Sequence, residues 1–269
     1  MLGEQPFNQT RFEASFLNGG DMVEVDVFGV LDLGPACVGR AVTDSNTQEL
    51  WSDTIRAMPK TEGPSSKEWT PTAVLVKARA TPEIVTVPER MALAIDGRGA
   101  PTGETFQQGL AALYGVAYAL KFSRKKSGRG APFKVAALEG RWAAEGCFDE
   151  STIPPAECWT WRLRIAVPPD MTEEEVAAAV REATTKKGGK LEGSSVAGRV
   201  FLEGIPEGKC GRILHIGPYA DEPHSFAVLA PVIAAAGLRP VRPHIEVYLS
   251  DPRRTSPEKL KTVLLKELM

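Results

Sequence analysis

Gly99-Ala-Pro-Thr-Gly-Glu104-Thr-Phe106 and Gly217-Pro-Tyr-Ala-Asp-Glu222-Pro-His-Ser-Phe226 each join a strand to a helix through a glycine, a proline, a glutamate and a phenylalanine. The two segments are only loosely alike as sequence, yet each stands at the same point of a strand-turn-helix unit. A duplicated unit of this kind encloses a groove between its copies, which is a natural place for a ligand.

The elements around these turns follow from periodicity. Ile84 to Val87 and Met91 to Ile95 read as strand. On the helix that follows, Phe106, Leu110, Leu113, Tyr114, Ala117, Tyr118 and Lys121 keep helical spacing, with Tyr114 and Tyr118 one turn apart on the same side. Strands are expected from Phe133 to Trp142 and from Trp159 to Val167. The second of these throws Trp159, Trp161, Leu163 and Ile165 to one face and Arg162 and Arg164 to the other.

The second half repeats the order. Thr172 caps a helix whose first turn holds Glu173, Glu174 and Glu175, and Gly188 and Gly189 end it after Lys186 and Lys187. Strands are expected at Val196 to Leu202 and Cys210 to Ile216, then a helix through Phe226, Leu229 and Ile233. Ser256, Pro257 and Glu258 read as the start of a short final helix. Residues 1 to 70 stand apart as an N-terminal extension of unknown role. Asp21 to Leu33 alternates as a strand there, and Pro59 to Ser66 reads as a linker.

Chemistry concentrates in Arg242 to Arg254. On a strand, Ile245, Val247 and Leu249 share one face, while His244, Glu246 and Tyr248 share the other. The first set wants a core; the second lines a cleft with a carboxylate between two rings, an expensive way to line a core. Burial of Glu246 would raise its pKa from about 4.3 towards neutrality, which suits a general base, and the ionised form can pair with a cation. The bland alternative is an edge-strand glutamate with a structural partner.

Other candidates are weighed the same way. Tyr219 follows a strand in a Gly-Pro-Tyr turn, where its hydroxyl either donates to a ligand oxygen or packs over the strand end. Trp142, Trp161, Tyr114 and Tyr118 serve as walls for a flat ligand or as core. His215 and His244 could act in proton transfer; His215 more readily fits a structural role, and His244, which shares the face of Glu246 and could orient it, equally fits a strand-end surface position.

Composition excludes several classes. A net charge of -2 over 269 residues gives no general attraction to nucleic acid or anionic membrane. The basic run Lys121 to Arg129 suits the negative end of a helix. Cys37, Cys147, Cys158 and Cys210 form no CxxC pair, and the three histidines have no metal-site spacing, so no metal is expected. The glycine-rich turn from Asp96 lacks the spacing of a phosphate loop, and no other cofactor motif is evident. With no apolar run of about 18 residues, a soluble cytoplasmic protein is expected. The oligomeric state is left open.

These residues together resemble the GyrI-like small-molecule-binding domain family. The resemblance covers about Thr81 to Met269 and rests on Pro82-Glu-Ile-Val-Thr-Val-Pro88, Asp96-Gly-Arg-Gly99, Leu113 to Phe122, Leu138-Glu-Gly140 with Trp142, His215-Ile-Gly-Pro-Tyr219, and Glu246 to Arg253 with Pro257 to Lys261. It implies an α+β fold over residues 71–269, built of two strand-helix-strand-strand repeats at about 82–168 and 170–269. A pseudo-twofold relates them, with the ligand between. It further implies that the acid at Glu246 looks into an aromatic cavity holding a small aromatic or cationic ligand, with Glu246 and Tyr219 catalytic if there is a reaction and Trp142, Trp161, Tyr114, Tyr118, His244 and Tyr248 binding the ligand. Some similar standalone proteins hydrolyse cyclopropane-bearing DNA alkylators, a detoxification or self-resistance activity, and others only bind drugs or act as sensors. No helix-turn-helix is evident, so a one-chain transcription regulator is not expected. A weaker reading makes the N-terminal region a contact for a macromolecular partner.

Overall fold

A computed structural model describes residues 13–18, 21–26, 68–144, 155–185 and 194–269. The first two segments are antiparallel strands, β1 (Glu13–Asn18) and β2 (Asp21–Asp26). The expected linker Pro59 to Ser66, Cys37, Cys147, residues 27–33 of the first expected strand and the expected helix end at Lys186 to Gly189 lie outside the described residues.

The rest is an α+β fold around one eight-stranded sheet. Its strands are β3 (Glu83–Val87), β4 (Arg90–Arg98), β5 (Leu138–Ala144), β6 (Trp159–Val167), β7 (Phe201–Ile205), β8 (Gly208–Ile216), β9 (Pro240–Tyr248) and β10 (Lys261–Leu268). Their order is β3-β8-β10-β9-β5-β6-β4-β7, and every pairing is antiparallel. A short helix, α1 (Ala73–Val76), precedes the sheet. The other helices are α2 (Glu104–Ser127), α3 (Glu173–Thr185) and α4 (Glu222–Ala235).

That order reads the same from both ends. β4-α2-β5-β6 matches β8-α4-β9-β10, and the β5–β9 pair lies at the pseudo-twofold between them. Each repeat has a leading strand in addition to the strand-helix-strand-strand expected from sequence, and each leading strand is exchanged. β3 of the first repeat pairs with β8 of the second, and β7 of the second pairs with β4 of the first. The two strand-to-helix turns match in backbone too, since Gly99 and Gly217 both have positive φ, 96° and 141°. A side chain at either position would be strained.

Three sequence expectations are corrected. The strand expected from Phe133 begins at Leu138; β9 ends at Tyr248 and β6 ends at Val167 before Pro168 and Pro169, so in this register residues 133–135 have no strand opposite them. Phe133 instead makes an isolated bridge to Trp69. Val196 to Leu202 is largely a 3-10 turn, Ser194–Arg199, with Ala197 and Val200 buried in the core under α2 and α3, and β7 starts only at Phe201. The expected final helix is a single 3-10 turn, Pro257–Lys259, leading into β10. Val263, Leu264 and Leu265 are all buried because β10 lies between β8 and β9 with both faces covered. The cap, proline and early acid of Ser256 to Glu258 suit a single 3-10 turn as well as a longer helix, and β10, apolar on both faces, carries no period of two to announce a strand.

Cross-strand partners place residues on faces. The row Ile95, Leu163, Gly140, Glu246, Leu264, Ile213 crosses six strands on the helix-bearing side. α2 covers one end, where Phe106, Leu110 and Leu113 pack with Ile95 and Leu163. α4 covers the other, where Leu229 and Ile233 pack with Ile213 and Leu264. Gly140 and Glu246 are the middle of the row, between the helices. On the opposite side Ile245, Val247, Val263 and Leu265 bury against Leu75 of α1, as the alternation of the β9 sequence requires. Arg164 there pairs with Glu203 at 2.7 Å, and Arg90 with Glu139 at 2.7 Å.

The basic end of α2 is more than a solvated terminus. Gly128 closes the helix in the left-handed conformation, but Arg124 is buried and bonds Glu175 of α3 through two nitrogens at 2.9 and 2.8 Å and Asp170 at 2.9 Å. It ties the two helices together.

Candidate functional site

β9 presents His244, Glu246 and Tyr248 side by side on the helix-bearing face. His244 Nε2 lies 2.8 Å from Glu246 Oε1, and the Tyr248 hydroxyl donates to Glu246 Oε2 at 2.6 Å. Trp142, across the strand pair on β5, donates its indole N–H to the Tyr248 oxygen at 2.9 Å. A chain from Trp142 through Tyr248 to Glu246 fixes the carboxylate, whose relative exposure is 9%.

Glycine makes this arrangement possible. Gly140 pairs directly with Glu246, and a Cβ there would lie 2.6 Å from Trp142 Nε1 and 3.0 Å from the Tyr248 hydroxyl. The two repeated phenylalanines flank the same floor. Phe106 of α2 stacks on Trp142 with centroids 5.7 Å apart, and Phe226 of α4 meets His244 edge-on at 5.0 Å. Trp142 and His244 are themselves cross-strand partners, so each repeat sets its phenylalanine over one of a central pair.

The turn before α4 supplies the remaining polar groups. Tyr219 meets Tyr248 edge-on at 5.9 Å. Burial and then the charges of Glu222, Glu246 and Asp251 push its hydroxyl well above the usual tyrosine range, so it stays neutral and able to donate. Glu222, the first residue of α4, is only 6% exposed. Burial first, then the charge of Glu246 and a hydrogen bond with it, push its carboxyl far above the usual range, while Thr262 on β10 offsets part of the rise. Glu222 Oε1 and Thr262 Oγ1 are both buried without a full hydrogen bond. Asp251 is held by Arg253 through its backbone N–H at 2.9 Å and two guanidinium nitrogens, each at 3.1 Å.

Of the residues singled out from sequence, Glu246, Tyr219, Trp142, His244 and Tyr248 come together here. Tyr114 and Tyr118 stack on α2 at 6.4 Å. Tyr114 is buried, and burial first, then Tyr118 and Asp251, push its hydroxyl far above the usual tyrosine range against the pull of Arg253. Tyr118 carries the ladder outward to Phe122, which is 43% exposed. Trp161 is placed differently. At 3% exposure it lies under α2, edge-on to Phe106 at 5.2 Å, over Gly97 and Gly109, where added Cβ atoms would fall 2.1 and 2.9 Å from its ring. His215 takes its structural role, with Nδ1 2.9 Å from Ser225 Oγ and Nε2 3.1 Å from the Pro218 carbonyl.

Sequence reasoning passed over Glu222, Asp251, Thr262 and the space at Gly140. An acid in the first turn of a helix ordinarily answers the helix dipole, as the exposed Glu104 does on α2 while accepting from Gln108 at 2.7 Å. Only the comparison of the two repeats marks Glu222, since one copy is in solvent and the other buried.

Comparison with known proteins places this geometry in a family. The GyrI-like small molecule binding domain matches residues 166–265, from the end of β6 to the middle of β10. An uncharacterised conserved protein from Listeria innocua is 35% identical over 72% of this chain and 94% of its own, with a TM-score of 0.64. The chain belongs to the GyrI-like family. Two further crystal structures from Listeria innocua, both described as hydrolases, are 31% and 33% identical, each covering 73% of this chain and 95% of its own, with TM-scores of 0.63 and 0.64. Proteins of curated function give no match. As a GyrI-like protein the chain carries a small-molecule-binding domain. No helix of the described residues is long and apolar enough to cross a membrane, and among them Cys158 and Cys210 are free thiols.

Proposed function

We propose that this GyrI-like protein is a hydrolase that adds water to a flat, electrophilic small molecule, of the cyclopropane-bearing DNA-alkylating class, as a detoxifying or self-resistance activity. The observation that carries the reading is the Glu246 carboxylate, fixed by Tyr248 and His244 on the sheet where the two repeats meet. Its resemblance to two proteins described as hydrolases supports a reaction rather than storage.

A cyclopropane fused to a conjugated dienone is opened by attack of water on its unsubstituted carbon. The C–O bond forms as the ring C–C bond breaks, and the released electron pair aromatises the dienone to a phenolate. Glu246 takes the proton from the attacking water. Tyr219 donates a hydrogen bond to the ketone oxygen as charge develops there, and solvent supplies the proton that makes the phenol. Tyr219 and Tyr248, both half-buried, offer ring edges to a planar substrate, with the stacked Phe106 and Trp142 buried behind them.

The test is mass spectrometry of such an alkylator incubated with the full chain, beside Glu246→Gln and a protein-free control. Multiple-turnover formation of the compound plus one water, lost in the variant, is the expected result. A second reading, a module that sequesters aromatic or cationic ligands unchanged, draws on the same carboxylate, whose two oxygens are already engaged within the protein. Intact ligand that co-purifies with the wild-type chain would replace the first reading by the second.

A further inference from the structure

Glu222 is a buried acid that the reaction above does not use. Its position at the head of α4 does not require burial, since Glu104 at the head of α2 is solvent-exposed. Among the described residues no lysine, arginine or histidine forms an ion pair with it, and its strongest interactions are with a second acid, Glu246.

The groups facing it can be named element by element. β9 brings Glu246, with Tyr248 and His244 bonded to it. The turn before α4 brings Tyr219, whose hydroxyl feels Glu222, and the exposed Asp221; β10 brings Thr262, and Asp251, on the loop after β9, is paired with Arg253. On β8 the His215 ring is engaged by Ser225 and the Pro218 carbonyl. None of these places a free cation beside Glu222.

α4 packs on Leu264, the cross-strand partner of Glu246, and both carboxyls are buried; two ionised carboxylates so close, out of water and without a cation, repel and are poorly solvated, so one must hold a proton. Hydrogen bonds decide which. Glu246 receives donors from Tyr248 and His244 that stabilise its charge, whereas Glu222 has Thr262 alone and its Oε1 receives none. The proton therefore belongs on Glu222.

We propose that Glu222 and Glu246 act as a proton-sharing carboxyl pair, in which Glu222 is the positioning residue that holds Glu246 as a carboxylate and limits the pair to a single negative charge. The pair then suits a neutral polarised electrophile or a monocation. The part that Glu222 plays in turnover rests on the hydrolase reading; the shared proton does not. When Glu246 takes the proton of water the pair becomes neutral, and loss of one proton to solvent restores it. Ionisation of Glu222 at alkaline pH would put a second charge beside the developing phenolate and slow the reaction.

Carbon-13 NMR of glutamate side-chain carboxyls in the full chain tests the pair without any ligand. Wild type should show one carboxyl titrating far above the ordinary glutamate range, absent in Glu222→Gln and displaced downward in Glu246→Gln. A Glu222 resonance that titrates in the ordinary range overturns the proposal. If the wild type hydrolyses the alkylator, its rate should fall at alkaline pH, Glu222→Gln should lose that fall, and Glu222→Asp should restore it at a shifted pH. Superimposable profiles for wild type and Glu222→Gln would overturn the part played in turnover, and absence of hydrolysis by wild type would fault the earlier reading alone.

Discussion

Gly140 faces Glu246 across the β5–β9 pair, and its missing side chain is the space through which Trp142 reaches the Tyr248 hydroxyl. Gly140→Ala should break that hydrogen bond, because a Cβ 2.6 Å from Trp142 Nε1 forces the indole aside. The expected loss is about 1–3 kcal/mol, the cost of a displaced buried hydrogen bond with some overpacking. Urea unfolding measures it, together with weakened ligand binding in the folded fraction. An unchanged midpoint and unchanged binding would mean that the indole bond is dispensable.

Tyr248 has two partners, and removing its oxygen affects both. Tyr248→Phe takes one donor from Glu246 and the acceptor from Trp142 Nε1, leaving a buried N–H without a partner. A destabilisation of about 1–3 kcal/mol is expected from the orphaned group. Turnover should fall further than binding, since the carboxylate loses its orientation while the ring wall stays. Equal effects on both would point to a purely structural tyrosine.

Glu222 gives the stability a pH dependence of defined sign. Its carboxyl titrates far higher in the folded chain than in the unfolded one, through burial and the neighbouring Glu246. Between those two values the folded state holds one more proton, so stability is full below the ordinary glutamate range and declines as pH rises towards the folded value. The slope is at most about 1.4 kcal/mol per pH unit from this one group. Glu222→Gln should flatten it and be the more stable chain at alkaline pH. Denaturant curves for both proteins across the neutral and alkaline range decide this, and parallel pH dependence would refute it.

Much of the site is readable from sequence wherever one residue announces both its element and its cost. Glu246 does so, because alternation on β9 forces it onto the face of His244 and Tyr248 while Ile245 and Val247 take the core. The repeat was legible through Gly99 and Gly217, whose positive φ makes the turn chemistry local. What was not legible depends on pairing between distant segments. The exchange of β3 and β7 leaves no mark on either strand, Gly140 matters only because Glu246 is opposite, and Glu222 looks like any helix-head acid until its neighbours are known. Trp161 reads as a ligand wall or as core from its own strand, and only Gly97 and Gly109 beneath α2 decide for core.

That placement of Trp161 separates packing from binding. Trp161→Ala empties a site enclosed by Phe106, Gly97 and Gly109, with the indole almost wholly buried. Removing so large a buried ring should cost about 3–5 kcal/mol. Trp161→Phe, which keeps most of the ring, should lose much less. Ligand affinity per folded molecule should be little changed in the phenylalanine variant, because the ring does not border Glu246 and its contact with the ligand side passes through Phe106. Calorimetric binding beside chemical unfolding reads the two quantities separately. A phenylalanine variant of nearly native stability that has lost its ligand would return Trp161 to the cleft wall.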